Sequence, residues 1–350
     1  MRDASMAEEK ELQLTIIVPS YNVEQYLHKC LDSMAGRDER LEILIVDDGS
    51  TDRTGEIADQ YAADYPDQVR VIHKENGGHG SGINVGVAQA RGRYFKVIDA
   101  DDWIVTPNLQ PVLDRLQNSQ ADAAVAGFHE IDMMTGRRVA YSSDCAFAGQ
   151  EVGLDKLLEV YDAIRDCFSF HGLFYKTAWY RTHGLCLTEG VFYEDQEYAT
   201  LPFAYLDTLL VLPEFFYEYM VGNSNQSVSY QNQVKRIGHI ETVLRNMLAF
   251  YQEHMPMQAA RDEYFLRKLS IVAMSYFATA LVKNKNRQQG KADAQRVRSW
   301  LKTEAPDLIR RTEKKYKALQ LAGAMHLSPA LYQKMLTTNI YQKFRCVWTK

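Results

Sequence analysis

Paired cysteines are missing from this chain. Its five cysteines, Cys30, Cys145, Cys167, Cys186 and Cys346, are odd in number, scattered, and never spaced Cys-x-x-Cys. That pattern excludes the usual zinc and dithiol motifs and leads us to expect a reducing, cytoplasmic setting. Long apolar runs are scarce too. No stretch approaches the roughly 18 apolar residues of a membrane span. The segment up to Leu14 is polar and lacks the apolar core of a signal peptide. A soluble or peripheral protein is the expectation. There is also little excess of one charge: 45 Asp and Glu stand against 40 Lys and Arg, a net charge of -5, which calls for no nucleic-acid partner.

The charge is nevertheless uneven. From Lys283 to Lys350 ten Lys and six Arg face four acids, a net +12, which leaves -17 for residues 1–282. An acidic body with a basic tail suits an anionic surface as the tail's partner. At 350 residues and 46% hydrophobic, the chain has room for one large domain and a smaller one.

Leu14–Val18 is a continuous β-branched apolar run, the mark of a strand buried on both faces, ended by Pro19. Helical spacing follows over residues 23–34. Leu41–Val46 is a second buried strand, stopped by Asp47-Asp48-Gly49-Ser50, with a helix over about 51–65. Residues 69–72 form a third strand, 76–82 a Gly-rich loop, 83–90 a short helix and 94–98 a fourth strand. Four strand–helix alternations with short connections predict βαβ units and a doubly wound, mostly parallel sheet. Ligands of such sheets bind beyond the carboxyl ends of the strands. Helical spacing recurs over 109–117 and 194–205, with a strand over 123–128 and a less clear stretch over 139–148. From Lys235 the chain reads as nearly all helical, which places a boundary near 225–235: a catalytic domain over 1–230 and a helical domain over 231–350.

Asp99-Ala100-Asp101 sets two carboxylates around one small residue where the fourth strand stops. Such a pair can hold a hard divalent cation, and the cation a diphosphate. The loop Asn76-Gly77-Gly78-His79-Gly80-Ser81-Gly82 lets backbone N–H groups approach a ligand, but it is neither a dinucleotide fingerprint nor a P-loop.

Three fragments stand in order at strand ends: Val18-Pro19-Ser20-Tyr21-Asn22, Val46-Asp47-Asp48-Gly49-Ser50 and Asp99-Ala100-Asp101-Asp102-Trp103. Together they closely resemble the family 2 glycosyltransferases of bacterial polysaccharide type, strongly over 14–103 and more loosely to Ser229. The resemblance implies a GT-A fold (a Rossmann-like, mostly parallel doubly wound sheet) and inverting transfer of one hexosyl unit, with formation of a β-glycosidic bond. The donor it implies is a nucleotide sugar, with UDP first; the acceptor is a glycan or a lipid-linked molecule. It implies nucleotide contacts at Pro19, Tyr21, Asp47, Asp48, Gly78 and Asp99, with the ribose at Asp99, and a metal, Mn²⁺ or Mg²⁺, at Asp101. A carboxylate can accept the uracil N3–H and a ring can pack on the base. Asp48 and Asp52 are equally suited to capping their turn and helix.

The catalytic base implied is Asp195, with Glu194 next, in Phe192-Tyr193-Glu194-Asp195. The chain departs from the family in three places. Gly82-Ile83-Asn84 stands where Ala-Arg-Asn is usual, leaving Arg91 or Lys96 to supply charge. Gln226 stands where a basic residue often precedes Ser227 in the loop 223–229. The Gln-x-x-Arg-Trp motif of processive synthases is missing, which favours single-sugar addition. His79 and His171 read first as loop histidines, and Trp103 as packing. Leu331, Met335, Leu336, Ile340, Phe344 and Trp348 recur at helical spacing among basic residues; such a helix suits an anionic membrane, the body of the protein or a second subunit equally. A sugar-nucleotide pyrophosphorylase and a non-catalytic partner protein with the same fold are the alternatives. Ser20-Tyr21-Asn22 after the first strand argues against the former and the intact acids against the latter.

Overall fold

A computed structural model describes residues 11–222, 230–329, 331 and 332. The loop 223–229 and the amphipathic segment from Met335 onward lie outside the described residues. The chain divides into two compact units, Met1–Asn223 with Met257–Arg261, and Ser224–Pro256 with Asp262–Lys350.

In the first unit β1 (Leu14–Ser20), α1 (Leu27–Asp32), β2 (Leu41–Asp47), α2 (Thr54–Asp64), β3 (Val69–His73), α3 (His79–Gln89) and β4 (Tyr94–Val97) alternate. The strands lie in the order β3-β2-β1-β4, all parallel. Every residue of β1 and β2 is buried because both faces are covered. Leu14, Ile16, Val18, Leu41, Ile43 and Ile45 share a core with Leu27, Leu31, Ile57 and Tyr61 of α1 and α2. Ile17 and Val46 face α3 instead, where Gly86 and Gly82 leave room for them.

Beyond β4 come β5 (Trp103–Ile104), α4 (Leu109–Asn118), β6 (Ala123–Asp132), β7 (Arg138–Tyr141), β8 (Glu151–Gly153), α5 (Leu154–Glu159), α6 (Tyr161–Ile164), β9 (Leu173–Lys176), α7 (Thr177–Thr182), α8 (Asp195–Tyr198) and β10 (Thr208–Val221). They extend the sheet as β4-β9-β6-β10-β5, with β7 on β6 and β8 on β10. β6 and β10 are parallel; β9 and β5 run against their neighbours. This is the mixed α/β, GT-A-type architecture.

Several local expectations change. β1 passes through Pro19 to Ser20, because β4 leaves its pairing with β1 at Ile17, and a proline N without hydrogen is tolerated on that side. α1 is shorter than the spacing suggested. α3 starts at His79, inside the Gly-rich segment: Gly78 takes φ +87° to end the loop, and the later glycines are packing notches. The helix expected over 194–205 breaks into α8 and a 3₁₀ turn over Leu201–Ala204, at Pro202. β10 was not anticipated; Pro213 interrupts its pattern where its register with β6 shifts.

The second unit is helical: α9 (Tyr230–Lys235), α10 (Ile237–Glu253), α11 (Ala259–Ala278) running into a π-helical turn over Thr279–Lys283, α12 (Arg287–Glu304) and α13 (Pro306–Ala324). Gly290 and Gly323 let α12 and α13 reach the carbonyls of Ala280 and Leu281 in that turn. Ala259–Lys283, 25 residues, is long and apolar enough to cross a membrane by length and composition, contrary to the expectation that no such stretch exists. Its most apolar window is 72% buried within the fold.

Candidate active site

Three strand ends, one loop and one turn build the site. After β4, Asp99, Asp101 and Asp102 turn their carboxylates together, and one oxygen from each lies within 4.8 Å of the others. Asp102 is buried and held twice: the Tyr217 hydroxyl donates to its Oδ2 at 2.6 Å and the Met220 N–H to its Oδ1 at 2.7 Å. Asp102 is therefore more than the start of a turn. Burial and the charge of Asp99 push Asp101 up to about 6. Burial, then Asp101 and Asp99, push Asp102 well above the carboxylate range. Three hard oxygen donors this close together can hold a divalent cation. The residues present fit Mn²⁺ or Mg²⁺.

At the end of β1, Tyr21 is half exposed and Pro19 buried against the Gly82 notch. At the end of β2, Asp47 Oδ1 accepts the Ser50 N–H at 3.0 Å, and Oδ2 pairs with His73 Nδ1 at 2.9 Å. Burial opposes ionisation of Asp47, but these bonds hold it below its usual value. Asp48 accepts the N–H groups of Gly77 and Gly78 at 3.0 and 2.8 Å and the Lys74 ammonium at 2.5 Å, which ties the Gly-rich loop to the strand end. Asp52 accepts from Glu24 and Thr54 and serves as a turn cap.

Neither expected substitute for the missing arginine holds. Arg91 sits with Glu42 and Thr15 at the amino ends of the strands, the wrong end of the sheet. Lys96 is fully buried; its Nζ donates to the Phe170 carbonyl at 2.5 Å and lies among the Phe170, Phe174 and Tyr217 rings. Burial drives its ammonium well below the ordinary range. A cation that does lie at the carboxyl ends of the strands is Lys74, paired with Asp48.

The turn bearing Glu194 and Asp195 reaches the site through a set of clasps. Asn84 accepts the Leu187 N–H at 2.9 Å and donates to the Leu187 carbonyl at 3.0 Å. The Gly190 N–H donates to the Gly77 carbonyl at 3.0 Å. Glu197 takes the N–H and hydroxyl of Thr188, both at 2.7 Å. Tyr193 is held at φ +74°, a strained conformation for a non-glycine residue. His79 then joins the two halves: Nδ1 lies 2.7 Å from Glu194 Oε1 and Nε2 2.9 Å from Asp99 Oδ1. Burial would lower its pKa, but the two carboxylates raise it well above the usual value. Asp99 in turn is held below its own, against burial, by His79. Asp195 is more open than Glu194. Tyr219, beside Asp102, Asp99, Asp195 and Asp101, has its hydroxyl pushed upward by burial and by those four charges. His171 packs against Tyr219 and Tyr217, and burial lowers it to about 3, so it is neutral. Trp103 carries the Lys29 ammonium 3.1 Å from its ring centroid.

The sheet has GT-A topology, and its acid cluster lies just past β4. Residues 15–182 match the model of glycosyl transferase family 2. An uncharacterised glycosyltransferase of Bacillus subtilis, EpsJ, is 39% identical over 118 residues, covering 33% of this chain and 34% of EpsJ. The chain spans 18% to 48% of the length of the first curated relatives it matches. Residues 1–349 of Staphylococcus aureus TarS superpose with a TM-score of 0.63 at 19% identity, covering 89% of this chain and 88% of that one. The same fragment in complex with UDP-GlcNAc superposes at 0.52, covering 88% and 92%. A mannosyltransferase of Pyrobaculum calidifontis, PcManGT, in complex with GDP-Man and Mn²⁺, superposes at 0.53 with 14% identity, covering 91% and 87%. The fold is of GT-A type, and the likeness to glycosyl transferase family 2 lies in residues 15–182.

Proposed function

We propose that the protein moves one sugar, with inversion, from a UDP sugar to a hydroxyl of a glycan or lipid-linked acceptor, forming a β-glycosidic bond. The observation that carries this is the joining of the acid cluster to the Glu194-Asp195 turn through His79. It supports a reading in which the diphosphate of the donor and the base meet at one place. The TarS complex with UDP-GlcNAc supports UDP as the nucleotide.

In this reading Tyr21, Pro19, Asp47, Asp48 and Gly78 receive the nucleoside and Asp99 the ribose. Asp101, with Asp102 beside it, would hold Mn²⁺ or Mg²⁺; when bound, the cation offsets the charge of the departing diphosphate. Asp195 takes the proton of the acceptor hydroxyl. The hydroxyl oxygen attacks the anomeric carbon as the bond to UDP breaks, and UDP leaves with that electron pair. The reading includes the cytoplasmic face of the membrane, supported by the basic stretch from Lys283.

The test is turnover of UDP-glucose, UDP-galactose and UDP-GlcNAc with Mn²⁺, followed as UDP release. Asp195→Asn is expected to keep UDP binding and lose turnover, and Asp101→Ala to lose the metal dependence of UDP binding. Turnover in Asp195→Asn equal to wild type would remove Asp195 from the base role.

A further inference from the structure

Glu194 and Asp195 are adjacent acids on one turn, and Asp195 is the more exposed. Glu194 is 4% exposed. Its Oε1 is taken by His79, and its Oε2 is buried with no hydrogen-bond partner among the described residues. A buried carboxylate oxygen out of reach of solvent is out of reach of a sugar hydroxyl as well. Such a group is costly to hold, and His79 supplies the donor that offsets the cost.

The surroundings fix the pair. Gly80 has no side chain where a Cβ would lie 2.7 Å from the Thr188 carbonyl and 3.2 Å from Glu194 Cγ. The His79 ring leans on Phe170, with centroids 5.8 Å apart. On its far side the same ring holds Asp99.

We propose that His79 is a positioning residue for transfer: it makes Glu194 a buried strut, leaves Asp195 as the carboxylate open to the acceptor, and ties the base-bearing turn to the ribose carboxylate Asp99. The inference rests on the roles given above to Asp99 and Asp195.

Two conservative variants separate the halves of the link. An asparagine amide reaches about where Nδ1 lies, and a glutamine amide about where Nε2 lies. His79→Asn therefore keeps a donor for Glu194, and His79→Gln one for Asp99. With UDP and Mn²⁺ as the binding probe, His79→Gln should bind within about threefold of wild type. Its kcat on the UDP sugar that wild type turns over should fall by about 10²-fold, the cost of a misplaced base. His79→Asn should show the reverse split, with weakened UDP binding and kcat within about threefold of wild type. In the ligand-free protein, backbone hydrogen exchange over residues 187–198 should be faster in His79→Gln than in His79→Asn. The proposal is overturned if the two variants show the same kinetic profile, whether both normal or both equally impaired, or if exchange over 187–198 does not distinguish them. Wild type that fails to bind UDP with Mn²⁺ would instead sink the nucleotide reading and the link to Asp99 with it. The exchange comparison, made without ligand, judges the strut separately.

Discussion

The Tyr217 hydroxyl donates to Asp102 at 2.6 Å and accepts the backbone N–H of Asp99 at 3.1 Å, so one phenol on β10 fixes two acids of the cluster. Among the described residues, removing it leaves the Asp102 carboxylate with the Met220 N–H. Tyr217→Phe should lose about 1–3 kcal/mol of stability. It should also weaken Mn²⁺-supported UDP binding by about tenfold, since partners behind metal ligands tune affinity on that scale. Thermal unfolding and UDP titration with and without Mn²⁺ measure both; an unchanged metal dependence would mean that the phenol does not orient the cluster.

Asp101 gives a pH dependence with a definite sign. Its value of about 6 lies above the ordinary 3.8 because burial and Asp99 disfavour its charge. The folded protein therefore holds this proton more tightly than the unfolded chain. The resulting loss of stability is absent below about 3.8, grows between there and 6, and is complete above 6. Metal-free Asp101→Asn should thus melt higher than wild type at pH 8, with the gap closing towards pH 4. Mn²⁺ should raise wild type and leave the variant behind. A gap that widens on acidification would contradict the sign.

The site was legible where chemistry is written locally. Val18-Pro19, Val46-Asp47-Asp48 and Ile98-Asp99 each mark a buried strand giving way to polar groups at one end of the sheet, and parallel strands carry all three ends to one edge. The His79 contacts span 20 residues to Asp99 and 115 to Glu194, and no periodicity carries information across such gaps. Tyr217 and Tyr219 were missed because Pro213 masks the strand that carries them. Arg91 and Lys96 were misjudged because charge alone says nothing about which end of a strand, or which side of the surface, a residue occupies. Helix boundaries drifted at the glycines of α3, whose packing role shows only once Ile17 and Pro19 are seen beside them.

Two glycine substitutions should have opposite outcomes. Alanine is the better helix former by up to about 1 kcal/mol. At Gly238 in α10 an added Cβ meets nothing within 4 Å, so Gly238→Ala should raise the melting temperature slightly. At Gly80 the new methyl would lie 2.7 Å from the Thr188 carbonyl, pressing on the strand of chain that carries Glu194. Gly80→Ala should cut turnover by about 10²-fold while the protein stays folded. UDP release and unfolding curves on both variants check this; a fully active Gly80→Ala would show that the turn tolerates displacement.

The second unit has its own electrostatic clasp. Glu241 on α10 accepts both terminal nitrogens of Arg296 on α12, at 2.6 and 2.5 Å, and two more bonds from Arg245 at 3.0 and 2.9 Å. Its carboxyl is 13% exposed, and the Arg296 bonds hold it below its usual value although burial works the other way. A paired, bidentate carboxylate in that position is worth more than a surface ion pair. Glu241→Gln keeps the shape and one acceptor oxygen but loses the charge, and should cost about 1–2 kcal/mol. Because the folded value is depressed, the contribution is full above the ordinary 4.5 and is lost as pH falls through the lower folded value. Melting curves of wild type and Glu241→Gln should therefore lie apart at pH 7 and converge below pH 4.5; parallel curves across that range would show that the charge on Glu241 contributes nothing to holding α10 against α12.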